Sequence, residues 1–198
     1  DDFCLEWWMT DYVEDSLENA ATYGYAGAWD AQVAVNQKGF DNWADGAPCA
    51  EICDTFMGVD AGNEGKTNDG INKIYWDDPT GFMGERVLAV AAYSVTAEYL
   101  REQDGQYLYR FGDVDITFND QIDWTLTEEI EGGQPCSGGM AALEPVATHE
   151  LGHLWGVGHS CEEGEPFTDE ALRYATMYCA NDSCDIERNT INPDDVAA

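Results

Sequence analysis

Histidine and basic residues are both scarce in this chain. Its 198 residues include three His, eight Lys and Arg, and 40 Asp and Glu, so the formal net charge at pH 7 is −32. Because nucleic acids and anionic membrane surfaces carry charge of the same sign, neither is an expected partner. The longest apolar run, at residues 87–95, is too short to cross a bilayer. We therefore expect a globular protein that binds neither nucleic acid nor membrane.

The excess of acidic residues also suggests where the protein works. Self-repulsion at this net charge destabilises a compact chain at low ionic strength, and dissolved salt screens that repulsion. A salt-adapted source and bound cations each account for this composition, and the sequence leaves both open. The chain begins with Asp and has no basic and apolar leader. We expect it to be the processed part of a longer precursor.

Seven cysteines are present, and none has the paired C-x-x-C spacing of a zinc ribbon. Disulfide frameworks are typical of extracellular proteins, so we expect a secreted protein. Two or three disulfides would leave one cysteine over, and the spacing does not determine which cysteines pair. We expect Cys161, Cys179 and Cys184 to hold together the region around the histidines.

The periodicity of apolar residues predicts two longer helices. Residues 28–43 have apolar side chains at roughly helical spacing, although Gly39 weakens this prediction. A second helix is predicted at residues 140–154, after a Gly-rich turn. Asn192 as an N-cap and Pro193 at the first helical position predict the start of a last helix.

The rest of the pattern predicts strands and loops. Residues 49–69 are predicted as a loop because they end in a run of turn-forming residues. The segments INKIYWDD, RVLAVAAYSVT and YLYRFGDVDITFND are rich in Ile, Val, Tyr and Phe, which is typical of strands. Helix, strands and then a late helix together predict an α+β or α/β layered fold.

All three histidines lie in the segment HELGHLWGVGHS, at residues 149–160. Positions four apart share one face of an α-helix, so His149 and His153 can direct both imidazoles to one point. Gly156 accepts a positive φ and allows the chain to turn, which brings His159 back as a third ligand. Three neutral nitrogens and a water molecule form the open tetrahedral site of catalytic zinc.

The chemistry expected of such a site is peptide hydrolysis. Zinc lowers the pKa of a bound water towards ~7 and polarises a substrate carbonyl. Glu150 would take the proton from that water and deliver it to the leaving amine. An isolated HExxH occurs by chance in ordinary helices, but Gly156 and His159 at the required offsets make chance a poor explanation.

The pattern HExxHxxGxxH resembles the metzincin clan of zinc endopeptidases. Met177, in ATMYC, is similar to the methionine turn that lies beneath the zinc in that clan. Ser160 after the third histidine, and the pair Met177-Tyr178, resemble the matrixin family. The segments RVLAVAAY, GDVDITFNDQIDWT and NPDDVAA are also similar to matrixin segments. The resemblance covers residues 71–198 and is strong only around the zinc motif.

The resemblance implies a mixed twisted sheet with an active-site helix, in a single catalytic domain over residues 1–198. It implies an N-terminal subdomain, about residues 1–159, and a C-terminal subdomain, residues 160–198, that contains the methionine turn. It also implies that Asp194 can bind the mature N-terminal ammonium and that Asp195 supports the turn. The alternative is that these acids have no special role, since acids are common at helix N-termini.

This chain also departs from the matrixin pattern. Val90 and Asp115 replace two histidines that bind a structural zinc in that family, so a second zinc of that type is excluded. Calcium is the natural substitute, because it takes six to eight oxygen ligands. Ordinary solvated surface acids are the alternative. The expected calcium ligands are Asp113, Asp115, Asn119 and Asp120, followed by Asp60, Asn63 and Asp69.

Two other segments differ from the family. The residues around Cys4, DDFCLEWW, do not match the latency motif of the matrixin pro-segment, so we expect a disulfide or a free thiol there. Cys179, Ala180 and Asn181 replace the usual wall of the S1′ specificity pocket. The resemblance therefore implies an inhibitory pro-segment in the precursor but no particular cleavage preference.

The sequence thus predicts a secreted zinc endopeptidase that acts as a monomer on protein or peptide substrates. Its charge predicts that electrostatic steering favours substrates with basic or neutral surfaces. Two alternatives stay open, namely a non-catalytic binding or structural module that keeps the metalloprotease fold, and a purely structural metal module. The presence of Glu150 together with all three histidines favours catalysis over a non-catalytic module. A purely structural metal module is a poorer match, because closed structural zinc sites are rich in cysteine.

Overall fold

A computed structural model of the chain describes residues 4–48, 50–61, 68–76, 83–84, 86–103, 106–136, 139–161, 172–180 and 184–197. Side chains are described for these residues except 97–103, 106–110 and 197. Within this part of the chain, no helix is both long enough and apolar enough to cross a membrane.

The described residues form seven strands, four α-helices and three short 3₁₀ helices. The strands are β1 (Leu5–Met9), β2 (Asp54–Val59), β3 (Asn72–Tyr75), β4 (Ala89–Gln103), β5 (Gln106–Phe118), β6 (Trp124–Thr125) and β7 (Ala141–Ala142). The α-helices are α1 (Ala28–Gly46), α2 (Thr127–Glu131), α3 (Leu143–Leu154) and α4 (Pro193–Ala197). The 3₁₀ helices are Asp15–Tyr23, Leu172–Tyr174 and Glu187–Asn189.

The main sheet is mixed. Its five strands lie in the order β2–β1–β3–β5–β4. β1 is parallel to β2 and β3, β3 is parallel to β5, and β4 runs antiparallel to β5. β6 and β7 form a separate parallel pair. The expected α/β fold with a mixed sheet is confirmed, and a small C-terminal region follows His159.

The strand predictions were confirmed in three places and missed in four. The three segments predicted as strands overlap β3, β4 and β5. β1, β6 and β7 were not predicted, and β7 lies in the segment predicted as a helix at residues 140–154. The loop predicted at residues 49–69 is wrong in part, because β2 occupies Asp54–Val59 and pairs in parallel with β1. The turn formers that suggested a loop follow this strand. Its side chains alternate between half-buried and exposed, as expected of a strand at a sheet edge.

The helix predicted at residues 28–43 is confirmed and extends to Gly46. Its buried face includes Val35, Phe40 and Trp43, which pack between the sheet and α3. Gly39, which weakened the prediction, is buried at the crossing with α3. A Cβ atom there would lie 2.7 Å from Cδ1 of Leu151. Glycine therefore occupies a helical position because the two helices approach so closely.

Aromatic rings hold the sheet and helices together. Trp7 of β1 packs against Phe40 of α1, with ring centroids 5.1 Å apart. Trp76, after β3, stacks on Phe118 of β5 at 4.5 Å, and Trp124 meets both rings edge-on. All five rings are fully buried. Their burial supplies much of the hydrophobic stabilisation of this small domain.

Three disulfides lie within the described part of the chain. They join Cys4 to Cys53, Cys136 to Cys184, and Cys161 to Cys179. The expectation of two or three disulfides is confirmed, as is a disulfide at Cys4. The seventh cysteine, Cys49, lies outside the described residues. Three disulfides in a chain of this size are typical of extracellular proteins.

The close crossing of α1 and α3 can be tested by adding one methyl group. We expect Gly39→Ala to lower the free energy of unfolding by about 1–3 kcal/mol, because overpacking outweighs the ~1 kcal/mol that alanine gains over glycine in a helix. Urea denaturation measures the change. Gly84→Ala is the control, because a methyl group there meets nothing within 4 Å. If Gly39→Ala were as stable as wild type or more stable, the close approach of α1 and α3 at Gly39 would be contradicted.

Candidate metal centre

The predicted histidine motif ends helix α3 and enters the turn that follows it. His149 and His153 lie one turn apart on α3, which ends at Leu154. Gly156 has φ of 86°, a conformation that glycine adopts with little strain. Its N–H donates a 2.9 Å hydrogen bond to the carbonyl of His153, which closes the helix. The chain then reverses and brings His159 back towards the two helical histidines.

The three imidazoles converge through their Nε2 atoms. Nε2 of His159 lies 3.2 Å from Nε2 of His149 and 3.1 Å from Nε2 of His153. In a tetrahedral zinc site with Zn–N bonds of about 2.0–2.1 Å, neighbouring nitrogens are roughly 3.3 Å apart. Elsewhere among the described residues, no three ligand atoms of His, Cys, Asp or Glu converge in this way. These three nitrogens therefore have the spacing that one small divalent ion requires.

Hydrogen bonds fix which nitrogen of each helical histidine faces the others. Nδ1 of His149 lies 2.8 Å from the carbonyl of Thr176, and Nδ1 of His153 lies 2.8 Å from the carbonyl of Val157. Because a carbonyl only accepts hydrogen bonds, both Nδ1 atoms carry the proton and both Nε2 atoms present lone pairs. Lone pairs this close repel each other unless a cation lies between them. The donor set therefore fits zinc.

The protonation of these histidines also suits a metal ligand. Burial lowers the pKa of His149 to about 3, and the neighbouring imidazole of His153 acts in the same direction. Burial also lowers the pKa of His153. Because a metal binds only the neutral imidazole, protons compete poorly with a metal at this site even in mildly acidic solution.

A buried methionine lies directly beneath the histidines. Met177 is 1% exposed and packs against α3 at Gly152. A Cβ atom at Gly152 would collide with the sulfur of Met177 and lie 2.6 Å from Cζ2 of Trp43. The glycine therefore permits Met177 and Trp43 to approach the helix from below. The carbonyl of Met177 also accepts a 2.9 Å hydrogen bond from the N–H of Ser160, which links this turn to the chain after His159.

Asp195 anchors the turn that contains Met177. Its carboxylate accepts hydrogen bonds from the backbone N–H groups of Thr176 at 3.0 Å, Met177 at 2.9 Å and Asn192 at 2.9 Å. Asp195 is 4% exposed, so these bonds are shielded from water. The same Thr176 carries the carbonyl that orients His149. Asp195 is thus connected to a candidate metal ligand through a single residue.

Asp194 and the helix that carries it lie as the sequence indicated. The side chain of Asn192 accepts a 3.3 Å hydrogen bond from the N–H of Asp194, as an N-cap of α4 does. Asp194 is exposed and lines a small cavity together with His159 and Ser160. Residues 1–3 lie outside the described part of the chain, so binding of the N-terminal ammonium stays a prediction.

Glu150 lies beside the histidines and is almost completely buried. It is 6% exposed and lines the same cleft as His149 and His153. Burial raises the pKa of Glu150 to about 8, and a hydrogen bond from the backbone N–H of Ala91 acts weakly in the opposite direction. A carboxyl group with such a pKa can exist in either protonation state near neutral pH. That property suits a group that both accepts and donates a proton.

The cleft has a volume of about 750 Å³ and opens along the metal centre. Ala89 and Ala91 of β4 line one side, and Val146 of α3 lines another. Tyr178 also lines the cleft. Since β4 is an edge strand of the sheet, its backbone can pair with an extended chain lying in the cleft.

The first two predicted calcium ligands lie on β5. Asp113 accepts a 2.8 Å hydrogen bond from the N–H of Gly70 and contacts the hydroxyl of Ser94. Asp115 accepts from the N–H of Lys73 at 3.1 Å, while its other oxygen has no hydrogen-bond partner. Burial raises the pKa of Asp115 to about 7, against the opposing effect of the hydrogen bond from Lys73. Both carboxylates are therefore buried rather than solvated surface acids.

The other predicted calcium ligands follow β5. The amide of Asn119 donates hydrogen bonds to the carbonyls of Gly84 and Val87, and Asp120 accepts one from the side chain of Gln121. Within the described residues, none of the predicted carboxylates joins a group of three His, Cys, Asp or Glu ligands close enough to share an ion. Calcium binding therefore stays a prediction.

The second set of predicted calcium ligands is also dispersed. Asp60 forms a 2.7 Å ion pair with the buried ammonium of Lys73. Asp69 accepts a hydrogen bond from the N–H of Ile71 within its own turn. Asn63 lies outside the described residues.

Two features of the site were missed by sequence reasoning. The carbonyls that orient His149 and His153 belong to Thr176 and Val157, and every residue type carries such a carbonyl, so the sequence contains no signal for them. The second feature is Arg188, which lines the cleft. The sequence has no local signal for this position, because folding brings Arg188 to the cleft from a distant segment.

No model of a known protein family matches the chain, and no curated protein matches it. The resemblance to metzincins therefore depends on the histidine motif and on the geometry around it.

Replacing Asp195 tests the connection between the turn and the metal centre. Asparagine has one acceptor oxygen in place of two, so Asp195→Asn cannot accept all three backbone hydrogen bonds. We expect the dissociation constant for zinc to rise about 10–100-fold, as is usual when a supporting shell is disturbed. Competition with a chromophoric chelator measures it. The control is Asp194→Asn, which should bind zinc as tightly as wild type. Equal affinity in both variants would contradict the connection.

The raised pKa of Glu150 predicts a pH-dependent stability in the presence of chelator. The carboxyl group is protonated in the folded protein up to about pH 8, but the unfolded chain loses that proton near pH 4.5. Stability from this group is therefore lost as the pH rises between these values. We expect the free energy of unfolding of Glu150→Gln to be higher than that of wild type by about 1 kcal/mol or more at pH 8. At pH 4 the two proteins should be equally stable.

Urea denaturation at pH 4, 6 and 8 measures this difference. Glu131→Gln is the matched control, because Glu131 is exposed at the end of α2 and should give no pH-dependent difference. Equal stability of Glu150→Gln and wild type at pH 8 would show that the carboxyl group is not destabilised by burial.

Proposed function

We propose that this protein is a zinc-dependent endopeptidase of the metzincin clan, similar to matrixins. The observation that carries this proposal is the convergence of three Nε2 atoms beside a buried glutamate, in a cleft open to substrate. The two subdomains expected from the resemblance, residues 1–159 and 160–198, belong to the same proposal. So do the roles of Met177, Asp194 and Asp195.

His149, His153 and His159 would hold the zinc. When bound, the ion supplies Lewis-acid polarisation of the substrate carbonyl and a more acidic water. Burial keeps His149 and His153 neutral, and the carbonyls of Thr176 and Val157 fix the orientation of their rings. His159 is the exposed member of the triad, so the substrate approaches the centre from its side.

Glu150 moves the proton during hydrolysis. Its carboxylate takes a proton from the attacking water as the oxygen bonds to the peptide carbonyl carbon. The same carboxyl group then gives the proton to the leaving nitrogen as the C–N bond breaks, so Glu150 ends as it began. Burial, which raises the pKa of Glu150 to about 8, makes both transfers accessible near neutral pH.

The substrate is an extended segment of a protein or peptide. An edge strand offers unpaired backbone groups, and residues 89–91 of β4 line the same cleft as the three histidines. A substrate chain can pair with this edge as an added strand, which would place a carbonyl near the histidines. Secretion, a monomeric state, an inhibitory pro-segment and structural calcium belong to the same proposal. Binding of nucleic acid or membrane is not expected at this net charge.

A non-catalytic binding or structural module is the competing function. Such a module would not need a glutamate buried at the metal centre, where its desolvation is unfavourable. A closed structural metal site is a poorer match, because it has four protein ligands and no open position. The presence of Glu150 therefore favours an enzyme.

Cleavage of casein or gelatin by the zinc-loaded protein tests this function. We expect activity that a chelator abolishes and added zinc restores. Glu150→Ala should lower the rate by a factor of about 10²–10⁴, because the proton acceptor is lost, while zinc remains bound. Glu131→Ala, at an exposed position, should cleave as fast as wild type. Chelator-resistant cleavage, or an unchanged rate in Glu150→Ala, would contradict the proposal.

A further inference from the structure

The segment that holds His159 begins at the end of helix α3 and runs to a disulfide. His149 and His153 belong to the helix, whereas His159 follows it and is the exposed member of the three. Two residues further on, Cys161 is joined to Cys179. The candidate metal centre therefore takes two ligands from a helix and the third from an irregular segment that ends in a covalent bond.

The disulfide joins this segment to the turn that contains Met177. Cys179 lies two residues beyond Met177, and its N–H donates a 2.8 Å hydrogen bond to Sγ of Cys161. The N–H of Ser160 donates a 2.9 Å hydrogen bond to the carbonyl of Met177. Thr176, just before Met177, has the carbonyl that orients His149. The disulfide thus connects the support of the first ligand with the chain that carries the third.

The covalent bond is a stronger link than the hydrogen bond beside it. A single backbone hydrogen bond adds little net stability, because water offers the same bond to both partners. A disulfide instead limits how far its two ends can separate, here across 18 positions of the chain. The distance between the segment of His159 and the turn of Met177 is therefore restrained chiefly while Cys161 and Cys179 are joined.

This disulfide can be reached from the candidate cleft. Cys179 is half-buried and lines the cleft together with the three histidines. The other two disulfides, Cys4–Cys53 and Cys136–Cys184, contribute no residue to the described lining of the cleft. A small molecule that enters the cleft can therefore approach Cys179, and a bound substrate would cover the same residue.

We propose that the Cys161–Cys179 disulfide is a redox switch that controls how tightly the protein holds zinc. This inference rests on the proposed zinc endopeptidase site. While the disulfide is intact, the chain after His159 stays against the turn of Met177, and the third imidazole meets the other two. Reduction frees that segment, so His159 moves away from the other ligands more easily and the protein releases zinc.

The reductant is a low-molecular-weight thiol, of which glutathione is an example. Its thiolate attacks Sγ of Cys179 and forms a mixed disulfide, while the sulfur of Cys161 leaves and takes up a proton. A second thiolate then attacks the reductant's own sulfur in the mixed disulfide, so Cys179 leaves and is protonated. Two electrons and two protons pass from two thiol molecules to the cysteines, and the two reductant molecules end as their disulfide.

The switch links zinc binding to the redox state of the surroundings. Extracellular media are oxidising, whereas small thiols keep the cytosol reducing. The protein would thus hold zinc tightly in the first and weakly in the second. Because coupling between two equilibria is reciprocal, bound zinc should also make the disulfide harder to reduce, by the same factor.

A zinc-binding measurement tests the switch. We expect the double variant Cys161→Ser, Cys179→Ser to have a dissociation constant for zinc about 10–100-fold higher than wild type, as when a supporting contact of a metal ligand is lost. Competition with a chromophoric chelator measures it. The matched control is Cys4→Ser, Cys53→Ser, which loses a disulfide that lines no part of the described cleft and should bind zinc as tightly as wild type.

The wild-type protein provides a second measurement that needs no variant. It is equilibrated in glutathione buffers of increasing reducing strength, with and without a fixed concentration of free zinc. Alkylation and peptide mass spectrometry then report the redox state of each cysteine pair. We expect zinc to raise the ratio of reduced to oxidised glutathione needed to open Cys161–Cys179 about 10–100-fold, and to leave Cys4–Cys53 unchanged.

Casein cleavage separates the switch from the proposed function. Zinc-dependent redox behaviour in a protein that cleaves no casein would contradict the endopeptidase function and retain the switch. Equal zinc affinity in wild type and in Cys161→Ser, Cys179→Ser would overturn the switch. A redox equilibrium of Cys161–Cys179 that zinc does not shift would overturn it too. An equal loss of affinity in Cys4→Ser, Cys53→Ser would show a general loss of stability instead of a switch.

Discussion

The hydrogen bond between His149 and the carbonyl of Thr176 joins the two parts of the candidate site. One partner lies on α3, and the other belongs to the small region after His159. Asp195 fixes Thr176 through its backbone N–H, and Met177 fills the space between that turn and the helix. If this link were lost, the imidazole of His149 could rotate, and the three Nε2 atoms would no longer converge. The geometry of the centre therefore depends on contacts far apart in sequence.

Charge is distributed unevenly between the surface and the interior. Most acids contribute to a surface of one sign, which is tolerable when salt screens their repulsion. The interior also contains titratable groups, among them Glu150 and Asp115, whose pKa values burial raises to about 8 and about 7. The net charge of the protein governs how a substrate approaches at a distance. It does not describe recognition, because the groups that line the cleft have a different balance of positive and negative charge.

The sequence predicted the histidine positions and most strands because both have local signals. Spacing of four on a helix, followed by Gly156, is enough to direct three imidazoles to one point. β2 was missed because turn formers follow it directly, and β1 because its pairing partners, β2 and β3, lie far along the chain. The support of His149 by Thr176 and the placing of Arg188 at the cleft could not be predicted, since both depend on chain segments brought together only by folding.

The packing of Met177 beneath α3 has a consequence for chemical durability. Its sulfur is sealed against Gly152 and Trp43 and is 1% exposed, so dissolved peroxide reaches it only when the fold opens. Met57, on the edge strand β2, is 46% exposed and lies apart from the metal centre. Oxidation by dissolved peroxide would thus convert Met57 to its sulfoxide first and leave the floor of the candidate metal centre intact.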